Sequence, residues 1–204
     1  MVTLYEMHTD INSLWPVTIT FAAIFLLYLL LNFVHRNAVL TFFAIANGTV
    51  FVYLLVYSML GDALYESMSF YYDVYAYLTM VVGMSYLLMA YTFRGGWNKQ
   101  LIGLLYSLGS FGFFGAAFSR VFDSEIWQMA FFLIVIGGLF FSVYLRSRIV
   151  LATSTIFLIV HVSYITSKYF ADSLGWSISL VALGFIFIGL GYVSININKR
   201  YIKQ

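Results

Sequence analysis

With 63% hydrophobic and only 9% charged residues among 204, the chain is far less charged than a soluble domain, where about 25% of residues are charged. A soluble core of this length cannot hide so much apolar surface, so lipid is the expected solvent. The net charge of +2 is small, and the absence of cysteine excludes disulfides, thiolate chemistry, Cys-ligated zinc and Cys-held iron–sulfur clusters.

The apolar pattern predicts an all-α, polytopic membrane protein of seven transmembrane helices, each of about 20 residues. The whole chain, 1–204, is expected to be one transmembrane domain with no room for a soluble one. Met1–Leu14 holds no Lys or Arg and no small-residue cleavage site. It is not read as a secretory signal peptide, and the first span is expected to remain as a helix. Span one covers residues 15–34 and opens at Trp15 and Pro16, where a missing N–H costs nothing. His35-Arg36-Asn37 is the turn into span two, 38–60. The longest joint, Gly61–Asp73, mixes acids with Leu64, Tyr65, Met68, Phe70, Tyr71 and Tyr72, as a segment lying among headgroups does.

Span three covers 74–93 and ends in Arg94-Gly95-Gly96-Trp97-Asn98-Lys99, a turn with paired glycines. Span four, 101–119, is followed by the joint Arg120–Glu125. Span five, 126–145, and span six, 149–170, are joined by Arg146-Ser147-Arg148, so they should form an antiparallel hairpin. A turn over Ala171–Gly175 leads to span seven, 176–197. Trp15, Trp127 and Trp176 open spans and Trp97 lies in a turn, as residues of the headgroup boundary do. No internal repeat is evident, which leaves an inverted-repeat transporter without support.

Charge sorts these joints. All eight carboxylates fall in the N-terminal tail (Glu6, Asp10) and in the joints after spans two, four and six (Asp62, Glu66, Asp73, Asp123, Glu125, Asp172). Eight of the ten basic residues fall in the other joints and the C-terminal tail: Arg36, Arg94, Lys99, Arg146, Arg148, Lys199, Arg200 and Lys203. Arg120 and Lys168 are the two exceptions. Short basic joints stay cytoplasmic, so the N-terminus is expected outside and the C-terminus in the cytoplasm. The expected location is the bacterial inner, or cytoplasmic, membrane. The basic face should attract anionic lipid headgroups. Nucleic acid is not an expected partner, because the basic residues are split among short segments.

Span six carries a polar stripe. Ser154, His161, Lys168 and Asp172 are spaced by seven, seven and four residues, which keeps them within about 40° on a helix. His161 should lie near the bilayer centre, where an ionisable residue is a functional candidate. It is suited to carry a proton, with Lys168 and Asp172 as an ion-pair gate. The bland reading is a neutral His161 bonded to another helix, with Lys168 snorkelling outward. Asn47 and Thr49 on span two are candidate partners for His161, or simply interhelical hydrogen bonds.

Gly109, Gly112, Gly115, Ala116 and Ser119 give span four small-xxx-small spacings that favour close helix packing, within the chain or between copies. Gly184, Gly189 and Gly191 are read the same way on span seven. Tyr71, Tyr72, Tyr75 and Tyr77 suit interface anchoring or a lipid or aromatic pocket. The pair Asp62 and Glu66, and the trio Glu6, His8 and Asp10, are acid clusters best read as solvated charge rather than cation sites.

Several functions are disfavoured. Span seven has no lysine before Lys199 to form a retinal Schiff base, as microbial rhodopsins need. His8, His35 and His161 fall at different depths, so one metal cannot collect them as in the zinc hydrolases related to haemolysin III. No nucleophile–base pair at obvious spacing supports an intramembrane enzyme. No metal or cofactor is expected. The leading expectation is a small transporter- or channel-like protein, with a proton, ion or ligand path along Ser154, His161, Lys168, Asp172 and Asn47. The alternative is a non-catalytic membrane subunit or effector, acting through a membrane partner, a homo-oligomer or bilayer perturbation.

Overall fold

A computed structural model describes residues 14–66, 68–170 and 176–202. Among them the long helices are α1 (Trp15–His35), α2 (Ala38–Glu66), α3 (Met68–Thr92), α4 (Ile102–Ser119), α5 (Glu125–Tyr144), α6 (Arg148–Phe170) and α7 (Trp176–Ile197), and there is no strand. The segments containing α1 to α6 are long and apolar enough to cross a membrane. Their surfaces carry what a water-soluble protein hides: Phe33 is 84% exposed, Ile126 80% and Phe140 75%. Lipid suits such a surface; water does not.

The expected spans match these helices to within a residue or two, except around Gly61–Asp73. There α2 runs on to Glu66 and α3 begins at Met68, so the expected joint is helical. After Gly61 the residues Asp-Ala-Leu-Tyr-Glu contain no breaker, so α2 continues to Glu66. At 29 residues, α2 is about 44 Å long, enough to cross both the hydrocarbon core and the headgroups.

The chain forms two compact units. The first is the described part of Met1–Leu78 with Thr92–Ile102; the second is Thr79–Tyr91 with the described part of Gly103–Gln204.

In the first unit α1 and α2 form an antiparallel hairpin. Thr18 meets Ser58, Phe25 stacks on Phe51, Tyr28 on Phe43, and Thr41 reaches Asn32. The one sequence rises as the other falls. Gly48 admits the Phe25 ring: a Cβ there would lie 2.7 Å from Phe25 Cε2. At the turn, Arg36 ends α1 in the left-handed region (φ 45°), and its N–H reaches the Asn32 carbonyl at 2.8 Å. The Asn37 side chain then caps α2 by accepting from the Val39 N–H at 2.8 Å.

The second unit is a side-chain seam. α5 buries Gln128, Phe131, Val135, Gly138 and Ser142, spaced three, four, three and four. On α6 the buried Leu151, Ser154, Leu158 and His161 repeat three, four and three. This alternation keeps one face of each helix on its neighbour, as in coiled coils. Phe114, Ala117 and Val121 of the α4 region join the same core. α5 starts at a Ser124 N-cap, whose hydroxyl accepts from the Trp127 N–H at 3.3 Å, with Glu125 at the positive helix end. Its other end turns at Arg146, again left-handed (φ 42°). For a non-glycine residue that conformation costs about 1–2 kcal/mol. No described glycine has positive φ. The paired Gly95 and Gly96 end a 3-10 turn and enter extended chain instead.

Candidate functional site

Serine and threonine in a lipid-facing bundle must satisfy their hydroxyls locally. Here they do so on their own helices. Ser110 donates to the Tyr106 carbonyl, Thr153 to Ile149, Ser154 to Val150 and Thr155 to Leu151, at 2.6–2.9 Å. Asn47 and Thr49 of the first unit behave alike, donating to Phe43 and Ile45 at 2.8 Å. The side-chain amide of Asn47 is therefore spent within α2, not on another helix.

His161 is different. It is 2% exposed, and its imidazole meets Phe131 edge-on at 5.0 Å between ring centres and Phe132 at 6.5 Å. The backbone carbonyl of Gln128 is in reach of the ring. Nδ1 nevertheless has no hydrogen-bond partner among the described residues. Such an unpaired buried nitrogen costs about 1–3 kcal/mol. The neighbouring helix that the bland reading expects beside His161 is α5, whose Gln128 carbonyl is the group in reach of the ring.

Gln128 was not among the expected site residues, and its side chain bonds one that reaches the surface. It is 5% exposed; its Nε2 donates to the Val121 carbonyl at 3.2 Å, and its Oε1 accepts from the Tyr169 hydroxyl at 3.1 Å. Tyr169 is half exposed, at 51%. A polar chain therefore runs from the surface through Tyr169 to Gln128, one helical turn before Phe131. One sequence signal pointed there: Gln128 is the only amide in span five. Beside it, Arg120 pairs with Asp123 at 2.9 Å and lies over the Trp127 ring.

No family model, curated protein or solved structure matches the chain.

The expected stripe on α6 separates into parts. Ser154 is fully buried, and its hydroxyl sits 2.9 Å from where a Gly138 Cβ would be. It lies about 10 Å along the helix from His161. Between the two, Phe114, Phe131 and Phe157 pack with Leu158. The two residues are not a nucleophile–base pair, and the stripe is not a continuous polar file. Lys168 is exposed and lies over the Tyr169 ring at 5.2 Å, having left the seam. Asp172 lies outside the described residues, as does the tail with Glu6, His8 and Asp10. The side chains of Asp62 and Glu66 are likewise not described.

The packing residues also divide. Gly109 makes the close approach: a Cβ there would stand 2.8 Å from the Gly83 carbonyl oxygen. Gly112 and Gly115 have only ordinary contacts, at 4.0 Å to Thr79 and 3.9 Å to Phe157. Ala116 and Ser119 are bonded to each other, hydroxyl to carbonyl, at 2.8 Å. The residues that sequence spacing missed are Gly83 and Gly138, which receive a backbone and the Phe114 ring respectively. Gly184, Gly189 and Gly191 on α7 have no described atom within 4 Å of a would-be Cβ, so they make no close helix contact here.

The tyrosines form a stack in the first unit: Tyr53 on Tyr75 at 5.9 Å, Tyr75 on Tyr71 at 4.6 Å, and Tyr71 edge-on to Tyr72. A small cavity between α5, α6 and α7 holds about 10 Å³ beside the Thr155 and Ser194 hydroxyls. That is room for about one water. Among the described residues, no three His, Asp or Glu side chains gather as a metal site.

Proposed function

We propose that the chain is a seven-span integral membrane protein, N-terminus outside and C-terminus cytoplasmic, with a transporter- or channel-like role centred on His161. The observation that carries this reading is the buried imidazole with an unsatisfied Nδ1. Polar groups at that depth are expensive, and an unsatisfied one marks a place where a proton or a small polar solute completes the bonding. The Tyr169–Gln128 chain is the approach from the surface, in place of the Lys168–Asp172 gate. Phe114, Phe131 and Phe157 close the way toward Ser154. Passage requires these rings to swing, so the arrangement described is a closed one. The role is non-catalytic, and the setting is a bacterial cytoplasmic membrane.

The test is flux in proteoliposomes driven by a pH gradient and followed with an entrapped pH-sensitive dye. His161→Phe preserves the aromatic packing and should lower flux at least tenfold. Gln128→Leu should lower it several-fold. Wild-type flux equal to that of empty vesicles would end the transport reading. Tags at the two termini found in one compartment would end the seven-span topology.

The alternative, a membrane subunit that acts through a partner helix, is favoured by the uncovered α7 glycines Gly184, Gly189 and Gly191. It predicts a stable partner or second copy that co-purifies in mild detergent.

A further inference from the structure

The second unit gathers four basic side chains from two separate elements at one end. Thr155 on α6 hydrogen-bonds Ser194 on α7 at 3.3 Å, and the π-helical segment Asn198–Ile202 packs on α6 as well as on α7. With the two helices antiparallel about that contact, each step back along α6 matches one step forward along α7. Arg148 therefore stands level with Tyr201 along the axis, within about a turn of Lys199 and Arg200. Arg146 precedes Arg148 by one buried serine. All four cations are exposed. The acids of this unit nearest in sequence to that hairpin, Asp123 and Glu125, lie at the opposite end of α5, about 30 Å away. Tyr144 and Tyr201, 65% and 49% exposed, flank the cluster, and the Arg200 guanidinium lies over the Tyr201 ring at 5.7 Å.

Arg146 takes the left-handed conformation that glycine occupies without strain, as Arg36 does in the first unit, so glycine can replace it without backbone cost.

We propose that Arg146, Arg148, Lys199 and Arg200 form a binding site for the headgroup of an anionic phospholipid, with Tyr144 and Tyr201 against its glycerol and upper acyl region. Three guanidiniums offer forked donors to phosphate oxygens, and exposed tyrosines suit the boundary between headgroup and chain. Charge with no acid near it among the described residues, beside an apolar, lipid-facing surface, fits this occupant better than a soluble anion, which has no use for the tyrosines. The site rests on the membrane-spanning reading but not on any role of His161.

The experiment is native mass spectrometry of the purified, delipidated protein in mild detergent, titrated in parallel with phosphatidylglycerol and phosphatidylcholine. Phosphatidylglycerol should bind at least tenfold more tightly to the wild type. The variant Arg146→Gly, Arg148→Gln, Arg200→Gln should lose that preference, while Arg36→Gln with Arg94→Gln in the first unit should keep most of it. Arg146→Gly alone should weaken phosphatidylglycerol binding two- to threefold without lowering thermal stability, an outcome that a purely structural role for Arg146 does not give. Equal binding of the two lipids by the wild type, or an unchanged preference in the triple variant, overturns the site. Extraction by alkaline carbonate is checked first: a chain released from membranes fails the spanning reading, whereas one that stays but shows no preference fails the lipid site alone.

Discussion

The two units hold their helices together by different means. In the first, side-chain hydrogen bonds fasten the hairpin near its ends. Thr18 meets Ser58 at 2.7 Å. Far along the helices, the Thr41 hydroxyl lies 3.1 Å from Asn32 Oδ1, 2.8 Å from Asn98 Oδ1 and 3.2 Å from the Asn37 carbonyl. One hydroxyl has one proton and two lone pairs, so at least one of the two amides must turn its NH2 toward Thr41. In the second unit hydrogen bonds such as Tyr169–Gln128 and Thr155–Ser194 are joined by close fitting in the middle. Gly83 and Gly109 bring α3 and α4 into backbone contact, and Gly138 takes the Phe114 ring. Lipid tails are as apolar as leucine, so helices in a bilayer gain little from burying hydrophobic surface. What remains is close packing and hydrogen bonding, and each unit uses both, placed differently along its helices. The unit with the backbone-to-backbone helix crossing is also the one that encloses His161, whose Nδ1 has no partner among the described residues.

The sharpest way to break this contrast is Gly83→Ala. Its Cβ would lie 2.7 Å from the Phe113 backbone nitrogen and 2.8 Å from the Gly109 carbonyl oxygen, and backbone cannot swing aside. A loss of about 2–3 kcal/mol is expected, measured by steric trapping or by unfolding in mixed micelles. A loss under half that size would mean the α3–α4 crossing does not hold the second unit. Next in size is Thr41→Val, which strips the hydroxyl from between two amides. It should cost about 1–2 kcal/mol, and Thr41→Ser should restore most of it; equal effects of Val and Ser would show that hydrogen bonding at this end matters little. The smallest effect is expected at Gly184→Ala on α7, where the new methyl meets open space. A gain of up to about 1 kcal/mol follows from helix propensity alone. A clear loss there, seen in native lipid and absent in detergent, would reveal a partner helix on that face and favour the subunit reading.

Some of the candidate site was legible in the residues and some was not. His161 stood out because an ionisable group deep in an apolar run is rare, and it is buried. Gly109 was legible for the same kind of reason, since a small residue mid-span usually admits a neighbour. Ser154 and Lys168 shared a helical stripe with His161, but angular spacing gives only direction from the axis. It does not tell where a neighbouring helix stops, and α5 covers His161 while Lys168 is left exposed. Gln128 read as one polar residue near a span's mouth until the fold brought Tyr169 to it. The left-handed turns fell on Arg36 and Arg146 rather than on the glycine pair, because a turn's geometry depends on how the helices it joins must meet.

Composition and charge alone dictate that this chain is helical and suited to lipid, because apolar runs of membrane length leave no other way to satisfy the backbone. They also dictate the segregation of acid and base among the joints, which is local. Which face of each helix is covered, which glycine admits a ring, and that His161 Nδ1 finds no partner among the described residues are decided by the tertiary structure. Those are relations between segments distant in sequence, and in lipid they depend on the fit of surfaces rather than on hydrophobicity.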